Sequence, residues 1–214
     1  MYLMNFQSLK EKITSSLVLL LVISIFTRIP VVLFLGDNNL ENEWRIIVNN
    51  LVEYNKFSFR RFDDFFLPNL FMPPLYPFYL YFFTLFNFQI DNYILVVLFS
   101  QVLLASISVI IFYKINKFFF SEKISFYSSI LFSLFPLHLY ACSQISSITL
   151  QIFLTIQFLF FLFSFVKKQS LLLICLISFS GACLILLRGE FILVLILTFF
   201  YLFFIFHISL KKIS

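Results

Sequence analysis

The sequence predicts an all-α transmembrane protein: a multi-span helical bundle of about six spans, with an extracytoplasmic loop that carries amphipathic and re-entrant helices. Of the 214 residues, 62% are hydrophobic and only 12% are charged, whereas soluble domains contain roughly 25% charged residues. Most of the charged residues lie between long apolar runs. A chain of this composition cannot cover itself with a solvated surface, so we expect residues 1–214 to form a single transmembrane module.

Six apolar runs are long enough to cross a bilayer, which takes roughly 20 residues per helix. They cover residues 16–35, 93–113, 124–142, 147–166, 170–187 and 191–208. The first run forms the first span, residues 36–92 form the extracytoplasmic loop, and residues 93–208 form five further spans. No signal peptidase site is evident, so we expect the first run to remain as an anchor.

A seventh apolar stretch, residues 75–88, is shorter than the others. If it does not cross the membrane, the nine lysines that flank the spans all lie on the cytoplasmic side; if it crosses, seven of them move outside. Because lysine and arginine accumulate in cytoplasmic loops, we predict a re-entrant or interfacial helix here and a cytoplasmic amino terminus. Four of the six prolines crowd its entrance, which suits a sharp turn. They are Pro68, Pro73, Pro74 and Pro77.

The extracytoplasmic loop contains a second helical pattern, over residues 40–54. Apolar residues recur at i, i+3, i+4, i+7 and i+8, with polar residues opposite them. The apolar residues are Trp44, Ile47, Val48, Leu51 and Val52. Such a helix should lie flat on the membrane with this stripe facing down. Seven of the ten acidic residues lie in the same loop, so the loop is where polar chemistry concentrates.

Two segments of this loop are candidates for a site. Glu41 and Glu43 start the amphipathic helix, where a carboxylate can act as a general base toward an acceptor from the aqueous side. The structural alternative, which the residues alone favour, is that the helix dipole selects acidic residues in a first turn. The proline- and aromatic-rich residues 71–83 form either one wall of a lipid-lined cavity or an ordinary membrane-surface anchor.

Arginines supply candidate phosphate sites, because a guanidinium can donate two hydrogen bonds to a phosphate. On the favoured topology, Arg188 and Glu190 lie on the same side as the acidic loop, in a short turn between two apolar runs, where an ionisable residue suggests a function. The alternative is a self-paired turn at the interface. Arg60 and Arg61 in the outer loop are further candidates, with a solvated charge pair as the alternative.

Several residues carry weaker patterns. Arg28 lies deep in the first span, where we expect it to partner a carboxylate. His138 and His207 are lone histidines on apolar runs, typical of core residues rather than ligands, and two distant histidines build no metal site. The cysteines have no paired spacing and are expected to be buried thiols. The lysines occur in ones and twos and form no basic patch for nucleic acid.

In their order along the chain, these motifs resemble those of the GT-C type integral membrane glycosyltransferases. This group includes the dolichyl-phosphate-mannose-protein mannosyltransferase family and the lipid A aminoarabinose transferases. The segments that carry the resemblance are ENEW (41–44), IIVNNL (46–51), NKFSF (55–59), PPLYP (73–77), FPLHLYACSQISS (135–147) and LLRGE (186–190). The family usually has an aspartate where this chain has Glu41 and Glu43, and Ile148 stands where it often has another acid.

The resemblance implies that a sugar moves from a polyprenyl-phosphate carrier to an acceptor at the outer face of the bacterial inner membrane, with membrane lipid around the site. It implies Glu43 or Glu41 as the catalytic base. The implied substrate-binding residues are Arg188, Arg61, Arg60, Pro74 and Tyr76. No cofactor is expected, and no residue pattern indicates a divalent cation.

Two further expectations concern completeness and catalysis. Family members are longer, so we expect this chain to lack the carboxy-terminal part, with a second chain that supplies it as a candidate partner. The alternative function is a non-catalytic membrane protein that binds a lipid carrier, either as a subunit or as a flippase-like component.

Overall fold

The computed structural model describes residues 6–40, 42–62, 65–68, 72–86 and 90–211. This part of the chain is mainly helical and contains one small hairpin of strands. Its elements in chain order are α1 Phe6–Leu35, α2 Asn42–Tyr54, β1 Ser58–Phe62, β2 Phe65–Pro68, α3 Leu75–Thr84, α4 Ile90–Asn116, α5 Glu122–Ser133, α6 Pro136–Ala141, α7 Ile148–Lys167, α8 Leu171–Leu187 and α9 Phe191–Lys211.

Three helical segments of the described chain are long and apolar enough to cross a membrane. They are Ser15–Leu35 in α1, Tyr93–Asn116 in α4 and Ile148–Lys167 in α7. Leu171–Leu187 and Phe191–Phe204 are shorter apolar helices. The chain is therefore a helical integral membrane protein, and the predicted fold class is confirmed at this level.

The predicted span over residues 124–142 is not one uninterrupted helix. α5 ends at Ser133 and α6 begins at Pro136. Proline lacks the N–H that continues a helix, and it favours an extended conformation in the residue before it. Phe135 accordingly has φ −62° and ψ 121°. The structure corrects the expectation of a continuous helix at this point.

α4 is the central helix of the bundle and packs on α1, α5 and α7. α7 packs in turn on α8, and α8 contacts α9 and α3. The side chains at the centre of the bundle are apolar and buried, among them Val97, Leu98, Leu154, Phe158 and Leu184. α5 instead buries the serines Ser125, Ser129 and Ser133. Small residues one turn apart let two membrane helices approach closely, which explains how α5 fits against both α1 and α4.

Both helices predicted in the outer loop are present. The amphipathic helix expected over residues 40–54 is α2, Asn42–Tyr54, and it buries Ile47, Val48 and Leu51. The interfacial helix expected over residues 75–88 is α3, Leu75–Thr84. α2 packs on α3, and α3 packs on α4 and α8, so both outer helices lie against the bundle.

The hairpin β1–β2 between these helices was not predicted. Its strands are antiparallel, with Arg61 opposite Phe66 and Phe62 opposite Phe65. The Asn50 side chain on α2 donates a hydrogen bond to the Ser58 carbonyl oxygen at 2.9 Å. Asn55 has a φ of 55°, a left-handed conformation that asparagine tolerates just past the end of a helix. These features fix the hairpin against α2.

Candidate functional site

The end of α1 and the turn before α7 meet at one end of the bundle. The backbone N–H of Asp37 donates to the Ser143 carbonyl oxygen at 3.0 Å, and the backbone N–H of Ile145 donates to Asp37 Oδ2 at 2.6 Å. The Gln144 side chain donates to the Leu35 carbonyl oxygen at 3.0 Å. The turn and the start of the acidic loop, which the sequence placed on one side of the membrane, are therefore in direct contact.

α2 and α3 are joined at this end by aromatic rings. The edge of Trp44 packs on the ring of Tyr76, with centroids 4.9 Å apart and an interplanar angle of 74°. Tyr76 also stacks on Tyr79 at 5.7 Å and is 1% exposed. Pro74 stands just before α3 as its N-cap residue, and its carbonyl oxygen accepts a hydrogen bond from Phe78 N. The predicted substrate-binding residues Pro74 and Tyr76 thus form the start of α3 beside α2.

The Tyr76 hydroxyl is neutral and has no hydrogen-bond partner among the described residues. Burial raises the pKa of Tyr76 well above its ordinary value, and the nearby Tyr79, Tyr93 and Asp37 raise that pKa further. The Tyr76 hydroxyl is therefore a neutral group, and not a negative charge, enclosed at the start of α3.

The structure describes one of the two predicted catalytic acids, Glu43. Glu43 lies in the first turn of α2. Its side chain is half-buried, and it directly precedes Trp44 in the sequence. The amino-terminal end of a helix stabilises a negative charge there. Glu41 lies outside the described residues. The prediction that one of them is the base remains a prediction.

Arg188 follows the last residue of α8. Because α7 leaves the end of the bundle that carries Asp37 and α8 returns to it, Arg188 lies at the same end. Its Nη1 atom is 3.4 Å from Glu190 Oε1, and the two side chains are 41% and 66% exposed. The self-pairing that the sequence left open is present, and the guanidinium stays accessible to a ligand.

Arg60 and Arg61 are placed only through their backbone. Arg60 lies opposite Leu67 and Arg61 opposite Phe66 in the hairpin, and their side chains lie outside the part of the chain that the structure describes. Their proposed contact with a phosphate stays a prediction. The hairpin itself packs on α2, so both positions belong to the same outer segment as Glu43.

A family comparison identifies the chain. The model of the dolichyl-phosphate-mannose-protein mannosyltransferase family matches residues 72–213. The chain belongs to this family. Neither the curated proteins nor the solved structures contain a match to it. The match confirms the family resemblance drawn from the motifs. It supports a membrane glycosyltransferase in general.

The mannosyltransferase match divides the predicted site into two parts. It begins one residue before PPLYP and therefore includes Pro74, Tyr76 and Arg188. Glu43, Arg60 and Arg61 precede it. The outer segment that carries the acids is joined to the matched part by the Trp44–Tyr76 contact and by the hydrogen bonds of Asp37.

Asp37 is a residue that the motif-based choice of site omitted. It follows α1 after a single glycine, half-buried, and its carboxylate accepts the Ile145 N–H. Its position directly after the first span was visible in the sequence. Its contact with a turn more than 100 residues later was not, because that contact depends on how the helices pack.

A second group of polar residues lies inside the bundle. Arg28 of α1 is 0% exposed, and its Nη1 donates to the Ser24 carbonyl oxygen at 2.9 Å and to the Ser24 and Ser133 hydroxyls at 2.6 and 3.1 Å. Its Nη2 lies 3.1 Å from His138 Nδ1. These partners are not the carboxylate that the sequence led us to expect.

The chemistry of arginine fixes the state of this histidine. A guanidinium only donates, so His138 Nδ1 accepts in the 3.1 Å contact with Arg28 Nη2, and the ring proton of a neutral histidine then sits on Nε2. With this tautomer, Nδ1 cannot also donate to the Phe132 carbonyl oxygen, which lies 3.4 Å away. Within the described chain, Nε2 and Arg28 Nε have no hydrogen-bond partner. The cluster thus joins α1, α5 and α6 around the break at Pro136 and lies away from the outer surface.

Proposed function

We propose that this protein transfers a sugar from a polyprenyl-phosphate carrier to an acceptor at the outer face of the bacterial inner membrane. In this proposal the amino terminus is cytoplasmic and six spans cross the bilayer, with α5 and α6 together forming the third. The family match supports a membrane glycosyltransferase. The carrier, the side of the membrane and the number of spans are parts of the proposal.

The reaction needs a base and a stabilised leaving group. The Glu43 or Glu41 carboxylate takes the proton of the acceptor's hydroxyl or amine, whose oxygen or nitrogen bonds to the anomeric carbon as the bond to the carrier phosphate breaks. The phosphate leaves with its charge stabilised by Arg188, assisted by Arg60 and Arg61. Pro74, which is half-buried, contacts the carrier beside α2, and the buried Tyr76 positions the start of α3 for that contact.

One observation carries this proposal. The Trp44–Tyr76 contact at 4.9 Å places the first turn of α2, which bears Glu43, against the first helix of the matched family segment. In this proposal the Glu43 carboxylate stands between an acceptor from outside and a carrier lipid in the membrane.

The test compares Glu43→Gln with Glu122→Gln. Glu122 lies in the first turn of α5 and is half-buried like Glu43, so it is a matched control for loss of a negative charge from the start of a helix. In membranes that contain the full chain and a labelled polyprenyl-phosphate sugar, Glu43→Gln should reduce transfer about 100-fold or more, because general bases typically contribute about 10²–10⁴. Glu122→Gln should retain transfer. Transfer that persists in Glu43→Gln and in the Glu41→Gln/Glu43→Gln double variant would remove both acids from the mechanism.

The alternative is a non-catalytic protein that binds the lipid carrier. The family match includes Arg188 but not Glu43, and the two functions differ in which of these residues they require. For the non-catalytic protein, Arg188→Ala should weaken binding of the carrier while Glu43→Gln changes nothing, and the wild type should show no transfer. If the wild type is inactive alone but active when the reading frame next to its gene is co-expressed, a second chain completes the enzyme.

A further inference from the structure

A groove runs along one flank of α2, on the far side of the helix from Glu43. The α2 residues that line it are Arg45, Val48, Asn49, Val52 and Glu53. They recur at spacings of three and four, so they share one face of the helix. Glu43 and Val52 are nine positions apart, about two and a half turns at 3.6 residues per turn, and therefore point to opposite sides.

The remaining lining comes from three other parts of the chain. Thr84 ends α3, Tyr93 and Ile94 belong to the start of α4, and Asn39 and Leu40 precede α2. The cavity volume is about 440 Å³, within the range of about 300–1,000 Å³ that small-molecule sites occupy. The end formed by Asn39 and Leu40 lies next to the first turn of α2, where Glu43 stands.

The polar residues of the groove restrict the ligand that fits it. Arg45 can only donate hydrogen bonds, Glu53 can only accept them, and Asn39 and Asn49 do both. Arg45 attracts an anion that Glu53 repels, and Glu53 attracts a cation that Arg45 repels, so the lining favours neither sign of net charge. An uncharged ligand with many hydroxyl groups satisfies all four residues, since each hydroxyl donates and accepts.

The apolar residues favour the same class of ligand. Val48 and Ile94 are 3% exposed and form an apolar floor, whereas Val52 is 51% exposed and stands at the rim with the polar residues. Tyr93 uses its hydroxyl to donate to the Leu80 carbonyl oxygen at 3.0 Å, which leaves its ring as the part that can contact a ligand. A sugar ring matches this arrangement because it has C–H faces and hydroxyl edges.

We propose that this groove binds an uncharged saccharide that forms part of the acceptor. The saccharide lies along α2, and its reacting end reaches the first turn of the helix past Asn39 and Leu40. The assignment as acceptor rests on the proposed function, whereas binding of the saccharide itself does not.

The experiment measures saccharide binding to the purified full chain in detergent, by saturation-transfer NMR and calorimetry. The probes are uncharged trisaccharides of glucose, galactose, mannose and N-acetylglucosamine. An anionic uronic acid trimer, a cationic glucosamine trimer and an uncharged serine- and threonine-containing peptide serve as competitors of other chemistry. At least one uncharged trisaccharide should bind at millimolar concentration, and the other three probes should not displace it.

Two variants test whether the trisaccharide binds in the groove. Asn49→Leu removes an amide and Val52→Trp fills the cavity; both positions are exposed, so the fold should persist. Each should weaken the trisaccharide Kd at least fivefold. Gln169→Leu, an exposed amide between α7 and α8 at the other end of the bundle, should leave the Kd unchanged. The proposal is overturned if no uncharged trisaccharide binds, if a charged probe or the peptide binds in preference, or if all three variants bind alike.

Failure of this proposal and failure of the proposed function give different results. Glu43→Gln should abolish transfer and leave the trisaccharide Kd as it is, because Glu43 lies on the opposite side of α2. Transfer by the wild type without trisaccharide binding rejects the groove alone. Trisaccharide binding without any transfer rejects the enzymatic function alone.

Discussion

Arg28 and Arg188 both stand in or between apolar runs, yet the structure gives them opposite environments. Arg28 is fully buried and bonded to Ser24, Ser133 and His138. Arg188 is 41% exposed, and its contact with Glu190 is 3.4 Å long. One arginine links three helices, and the other stands at the surface with its guanidinium accessible.

The difference shows what an ionisable residue in a membrane segment indicates. Such residues are functional candidates by default, and the sequence alone treats Arg28 and Arg188 alike in this respect. The partners separate them: a fully buried guanidinium that bonds neutral groups on several helices holds the bundle together, whereas a surface guanidinium can exchange its partner for a ligand. We therefore assign Arg28 to stability and propose Arg188 for binding the carrier.

The largest expected effect is the loss of Arg28. Arg28→Ala leaves a cavity and removes donors from His138 and Ser133, and it should lower the free energy of unfolding by about 3 kcal/mol or more. Arg188→Ala, the matched control, should lower it by less than about 1 kcal/mol. Denaturation of the purified protein in detergent measures both. Equal losses in the two variants would contradict the assignment of Arg28 to stability.

A smaller effect is expected at His138, the partner of Arg28 in α6. His138→Ala leaves one buried guanidinium donor unpaired, at a cost of about 1–3 kcal/mol. His138→Asn supplies an oxygen that can accept from the same nitrogen and should recover part of the loss. Tyr140→Ala, at an exposed position on the same helix, is the control. The hydrogen bond would be unimportant if the Asn variant were no more stable than the Ala variant.

The sequence predicted elements well where local patterns decide them. The apolar stripe over residues 40–54 predicted α2 within two residues of its start, because periodicity marks an amphipathic helix. Pro136 could have shown the end of α5, but the apolar run through it concealed the break. The hairpin was overlooked because its strands are short and lie between two stronger helical patterns.

The candidate site was less predictable than the fold. The motifs identified Pro74, Tyr76 and Arg188, which lie in the family match. The contacts of Asp37 with Ile145 and of Arg28 with His138 join residues more than 100 positions apart. No local pattern encodes such contacts, because they depend on which faces of the helices meet in the bundle.

The smallest expected effect on stability belongs to Glu190. Its pair with Arg188 is exposed, so Glu190→Gln should change the free energy of unfolding by less than about 1 kcal/mol. The same substitution frees Arg188 for the phosphate of the carrier. The KM for a polyprenyl-phosphate sugar should therefore fall, by up to about fivefold for a pair of that strength, while Arg188→Ala should raise it. Donor titrations on the two variants measure this. A binding role for Arg188 requires the two substitutions to change KM in opposite directions. If neither substitution changes KM, Arg188 does not contact the carrier. If both raise KM, Arg188 acts through its pair with Glu190.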